Sequence, residues 1–230
     1  MKSLVIIFTI ILTVFSYWFS RKLNSRYPSP ITNVVFLSTA IIIGTLLLTG
    51  LTLEDYTPGK NIMTFLLGPA TVALAVPLYK NVSTLKSYFV PIVAGITVGV
   101  LATIISVVFL CNWLGLNEVI TTSMVSKSVT VPIAVEITRI MCGDPALTAA
   151  FVVATGTGGS MIAFWILDKL KISNPICRGL AIGTTAHGQG TAIALQEGEV
   201  QGAMSGIAMA LTAVFTSFIA PVMAPWLMGW

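Results

Sequence analysis

The chain has 230 residues, of which 56% are hydrophobic and 9% charged, and its mean hydropathy is +0.94; a soluble domain is about a quarter charged. This excludes water as the main solvent and points to an all-α, polytopic membrane protein. The net charge of +4 does not imply a nucleic-acid partner, because the twelve Lys and Arg residues sit mostly between apolar runs, where they orient a membrane chain.

In chain order, charge-free stretches cover 3–20, 27–53, 61–79, 87–117, 145–167, 179–196 and 200–230. Most are long enough to cross hydrocarbon, which takes roughly 20 helical residues. A further apolar stretch between Glu118 and Glu136 is broken only by Lys127. The expectation is seven or eight membrane segments forming one transmembrane domain over residues 1–230. The run after Lys2 reads as a retained span, because no small-residue cleavage site follows it and Arg21, Lys22 and Arg26 come directly after. Basic residues favour the cytoplasm, so the N-terminus is expected outside.

The loop with Glu54, Asp55 and Lys60 then suits the outside, and Lys80 and Lys86 suit the inside. Trp113 falls in a short external link. After that the alternation fails. If 119–140 and 146–167 both crossed fully, Lys169, Lys171 and Arg178 would lie outside, against the charge rule. One segment between 119 and 167 is therefore expected to be re-entrant.

Irregular backbone at membrane depth is tolerated only where protein buries it or where it lines a watery cavity, so interruptions mark the functional region. Three stand out: Gly68-Pro69-Ala70-Thr71 with Pro77, Lys127 to Pro132, and Gly183 to Thr191. Similar strings follow each, Thr71-Val-Ala-Leu-Ala-Val76, Thr130-Val-Pro-Ile-Ala-Val135 and, more loosely, Thr191-Ala-Ile-Ala-Leu195. Matched breaks of this kind suggest an internal pseudo-symmetric repeat, as in transporters.

Lys127 is costly inside a membrane and needs a partner, a cavity or a route to the interface. Ser128 and Thr130 offer hydroxyls, and Pro132 pre-sets a helix start whose free N–H groups and dipole favour an anion. Lys127 with that helix start forms a candidate carboxylate site; the competing reading is a structural lysine. Glu136 is spaced to pair with Arg139, either structurally or as a proton carrier. His187, the single histidine, lies among Thr184, Thr185, Gln189, Gly190 and Thr191. Its near-neutral titration suits proton exchange, and the glycines around it let the backbone unwind.

Other features read as packing. Thr155-Gly-Thr-Gly-Gly-Ser160 lies mid-span without a following lysine, so small residues there permit close helix approach, as do Gly95 and Gly99. Cys111, Cys142 and Cys177 lack metal-like spacing. No metal, cofactor or nucleophile–base constellation is expected, and the chain does not read as an enzyme.

The strings Gly68 to Lys80, Lys127-Ser-Val-Thr-Val-Pro-Ile-Ala-Val-Glu136 and Gly183-Thr-Thr-Ala-His-Gly-Gln-Gly-Thr-Ala192 closely resemble the LrgB/CidB family, which includes the YohK proteins. The resemblance extends over nearly the whole chain. It implies a bacterial inner-membrane protein beside a small LrgA/CidA-type partner; a homo-oligomer, a dimer, is a separate expectation. It also implies one of two roles: transport of short carboxylates such as pyruvate, glycolate or glycerate, or holin/antiholin-like control of murein hydrolases and lysis. Lys127, Ser128, Thr130 and Pro132 match one family motif, and His187, Gly190, Thr191 and Ala192 another. Val131, Ala186 and Ile193 depart from the usual Thr, Ser and Arg, and the absent arginine removes one possible anion contact.

Overall fold

The computed structural model describes residues 2–27, 29, 31–65, 79–80 and 82–229. The first interruption, Gly68 to Pro77, and the string Thr71 to Val76 lie outside the described residues. Two compact units are formed, Met1–Val76 and Pro77–Trp230.

In the first unit α1 (Lys2–Arg26) packs against α2 (Val34–Thr49) and α3 (Leu53–Phe65). Asn33 starts α2 by accepting from the Val35 and Phe36 amides at 3.0 and 3.1 Å, the usual remedy for orphan first-turn donors. Gly50 ends it at φ 69°, a left-handed conformation that glycine adopts without a Cβ penalty. The inner face of α1 is polar, with Thr9, Ser16 and Ser20 buried and Thr13 bonded to the Tyr56 hydroxyl at 2.8 Å. Its outer face shows Ile7, Phe8, Ile11, Val14, Phe15 and Trp18, the inverse of a water-soluble helix.

The second unit contains α4 (Val82–Ser87), α5 (Phe89–Trp113), α6 (Glu118–Val125), α7 (Val131–Ile140), α8 (Pro145–Lys169), α9 (Pro175–Glu197) and α10 (Glu199–Met228). Four helices among the described residues are long and apolar enough to cross a membrane: α1, α5, α8 and α10. The protein is thus all-helical and polytopic; α2 is a shorter apolar helix, and among the described residues the segments 118–140 and 175–197 are broken.

Both breaks are reversals. In α6–α7 the Ser126 hydroxyl reaches the Ala134 carbonyl at 3.2 Å and Thr138 Oγ1 at 3.1 Å, while Ser123 Oγ accepts from the Asp144 amide at 2.8 Å. Contacts between 126 and 134, and between 123 and 144, are those of two antiparallel legs. We term this hairpin 1, with its tip at 126–130. In α9, His187 has φ 41° and ψ −129°, and the helix folds there. Arg178 Nε and Glu197 Oε1 lie 2.7 Å apart although 19 residues separate them; a straight helix would hold them about 28 Å apart. Ile182, Ile193 and Ala194 share one buried cluster, so the legs 175–186 and 188–197 pack on each other as hairpin 2.

This arrangement explains the failed alternation. Hairpin 1 leaves from the end of α5 and returns to the start of α8, whereas hairpin 2 leaves from the end of α8 and returns to the start of α10. The two therefore enter the unit from opposite ends. The segment that turns back is 118–140, and α8 is long and apolar enough to cross; a full crossing by α8 would return Lys169, Lys171 and Arg178 to the side of Lys80 and Lys86. Both described interruptions are thus inserted hairpins. The related strings Thr130 to Val135 and Thr191 to Leu195 each begin a returning leg.

Candidate functional site

The site is built at the hairpin tips. Hairpin 1 holds its reversal with hydroxyls, because an unpaired carbonyl in a dry core costs about as much as a lost hydrogen bond. Thr148 Oγ1 on α8 lies 3.0 Å from the Ser123 carbonyl and 2.9 Å from Thr138 Oγ1. Ser123, Ser126, Thr138 and Thr148 are all buried. Sequence reasoning did not find this network; the signal available was a recurrence of Ser and Thr in short apolar helices.

The tip that this network fixes carries Lys127. Its ammonium reaches Ser128 Oγ at 3.4 Å, and among the described residues no carboxylate pairs with it. Ser128 is buried beside it. Thr130 takes the extended conformation of a cap residue before α7, yet its side chain makes no cap bond, and Pro132 stands in the first turn. Lys127, Ser128, Thr130 and Pro132 are thus gathered at one helix start.

Hairpin 2 positions His187 by close packing. Its Nε2 lies 3.1 Å from the Val152 carbonyl on α8, and a carbonyl only accepts, so Nε2 carries the hydrogen and Nδ1 is left as the basic nitrogen. The ring needs Gly156: a Cβ there would sit 2.6 Å from His187 Cε1 and 2.7 Å from Nε2. Gly159 admits Ala186 in the same way. Of the mid-span glycines of α8, Gly156 and Gly159 therefore pack helices, Gly158 faces open space, and Gly156 also shapes the site. Gly99 accepts Thr184 on hairpin 2, whereas Gly95 faces open space.

The remaining polar residues divide. Thr191 Oγ1 donates to the His187 carbonyl at 2.9 Å and meets Ser205 Oγ at 3.0 Å, so it closes the break. Thr184 is buried against α5, and Gly190 packs on Ile182 and Ala186 across the fold of the hairpin. Gln189 is half-buried and its Oε1 accepts from Thr157 on α8 at 3.0 Å, which leaves the amide N–H groups to face another acceptor; Thr157 is a contact that sequence reading missed. Glu136 pairs with Arg139 at 2.6 Å as its spacing suggested, but both are exposed on the outer side of α7.

Depth and proximity join the two tips. Met209 sulfur approaches Thr191 and lies near Gly188; counted from Glu199, that places the hairpin 2 tip about 15 Å into α10, half of a bilayer core. Both hairpins meet α8 within about one turn, since Thr148 bonds hairpin 1 and Val152, four residues on, bonds His187. A cation, a helix start, amide donors and one titratable ring thus converge from opposite ends of the unit, an arrangement able to hold a small anion and exchange a proton.

The LrgB-like family matches residues 13–226. YwbG of Bacillus subtilis is 38% identical over 94% of this chain and 96% of its own length. The holin-like protein CidB of Staphylococcus aureus is 31% identical over 93% of each. The antiholin-like protein LrgB of Bacillus cereus is 33% identical over 83% of this chain and 84% of its own. No solved structure matches. With a match over nearly its whole length, and with the hairpin tips falling on two of the three strings that carried the resemblance, the chain belongs to the LrgB-like family.

Proposed function

We propose that this protein transports small organic anions, short carboxylates such as pyruvate, glycolate or glycerate, across the bacterial inner membrane, with its N-terminus outside and Lys169 and Lys171 inside. One observation carries this reading: half-buried Lys127 has no carboxylate partner among the described residues and lies three residues before the Thr130 cap of α7. A buried cation is costly unless something neutralises it, and a carboxylate substrate does so on every cycle. Ser128, Thr130 and the Gln189 amide supply donors, and His187 Nδ1 takes up a co-transported proton. Glu136, turned outward to Arg139, is the weaker proton carrier.

The names of CidB and LrgB favour a second reading, a holin- or antiholin-like role in lysis control beside an LrgA/CidA-type partner. Uptake of labelled pyruvate, glycolate and glycerate into proteoliposomes separates the two. A carrier gives saturable uptake that Lys127→Ala lowers at least about tenfold, the loss of one charge-assisted contact. Leakage that does not saturate and ignores Lys127→Ala overturns the transport reading in favour of the holin-like one.

A further inference from the structure

The seam between α8 and the first leg of hairpin 2 is open on its outer side. A groove of about 240 Å³ runs there, lined by Gly159, Ile162, Ala163, Ile166, Ala181 and Thr185 among others. Its wall is hydrocarbon, because the one hydroxyl on it, Thr185 Oγ1, is turned back onto the Ala181 carbonyl at 2.8 Å. From Gly159 to Lys169 the groove line covers ten residues, about 15 Å, the depth of one leaflet of hydrocarbon.

The end of that line is basic. Ile162, Ile166 and Lys169 fall at i, i+4 and i+7, one face of α8. Lys169 stands over the exposed Trp165 ring at 4.9 Å, and an aromatic beside a lysine at the end of a span marks the interface. Lys171 is exposed next to it. Neither lysine is in an ion pair among the described residues, and the nearby acid, Asp168, is drawn onto Arg178 at 2.7 Å. Two free cations at the mouth of a leaflet-deep apolar groove complement one molecule: an anionic phospholipid.

We propose that one acyl chain of an anionic phospholipid lies in this groove with its phosphate held by Lys169 and Lys171. The chain then wedges the seam and ties hairpin 2 to α8. A partner helix fits less well, since a helix roughly 10 Å across and 15 Å long fills over 1,000 Å³, several times the groove.

The test is native mass spectrometry of the full-length protein in detergent with equal amounts of dioleoylphosphatidylglycerol and dioleoylphosphatidylcholine. The wild type is expected to retain the glycerol lipid about tenfold or more over the choline lipid, as two lysines at an anionic surface give. The exposed double variant Lys169→Gln, Lys171→Gln loses that preference while circular dichroism stays unchanged. Ala181→Leu, which fills the groove from an exposed position, lowers retention of both lipids. Equal retention of the two lipids by the wild type overturns the proposal. So does retention indifferent to Ala181→Leu, and so does a change of oligomer mass in that variant without a change in bound lipid, which would make the groove an interface between copies.

Discussion

The two hairpins solve the same problem by different means. Each must reverse a helix where water cannot satisfy the freed backbone. Hairpin 1 spends five residues on its tip and ties its legs together with neutral hydroxyls from three helices, Ser123, Ser126, Thr138 and Thr148. Hairpin 2 turns on a single residue, His187, and is closed at its open end by a buried cation, Arg178, held by Glu197, Asp168 and the Ile172 carbonyl. Between these ends Gly190 lets the legs approach at Ile182, and Gly183 lets the first leg approach the Ser205 backbone of α10. A wide tip presents a charge and a helix start; a narrow one presents a ring. In the transport reading proposed above, the first holds the solute and the second the proton.

That contrast can be broken most severely at Arg178. Its side chain is 9% exposed, so Arg178→Leu leaves Glu197 without its partner and should cost about 3–5 kcal/mol, read as a lower thermal midpoint in detergent. The same substitution should leave hairpin 1 intact, and a cysteine placed at Ser128 should keep its labelling rate. Next comes Gly156→Ala, whose methyl would press on the imidazole; overpacking there should cost about 1–3 kcal/mol and detach His187 from Val152, seen as a shift of its ring resonances. The smallest effect is expected from Ser126→Ala in hairpin 1, about 1 kcal/mol for one neutral hydrogen bond, because Thr148 continues to hold Ser123 and Thr138. If Ser126→Ala proved as damaging as Arg178→Leu, the distinction between a shared hydroxyl network and a single latch would fail.

Some of this was legible in the residues. Lys127 and Pro132 announced a break because a charge and a missing amide are both unwelcome in a continuous membrane helix. The glycines around His187 announced the second. Spacing alone linked Glu136 to Arg139, a contact within one turn. The partners of Arg178 were not legible, since they stand 10 and 19 residues away and become neighbours only when α9 folds. The same holds for Thr148, which serves a carbonyl 25 residues back, and for Gly156, whose importance depends on a ring 31 positions later.

Composition and local pattern therefore decide what needs no partner: that the chain lives in lipid, where its helices are interrupted, and which charges are out of place. Transfer energies and backbone restrictions act residue by residue, so a linear reading captures them. Whether an interruption bends, crosses or reverses depends on one torsion pair at His187 and on contacts between distant turns. Packing sets those, and only the folded chain shows that hairpin 1 and His187 are held one turn apart on α8.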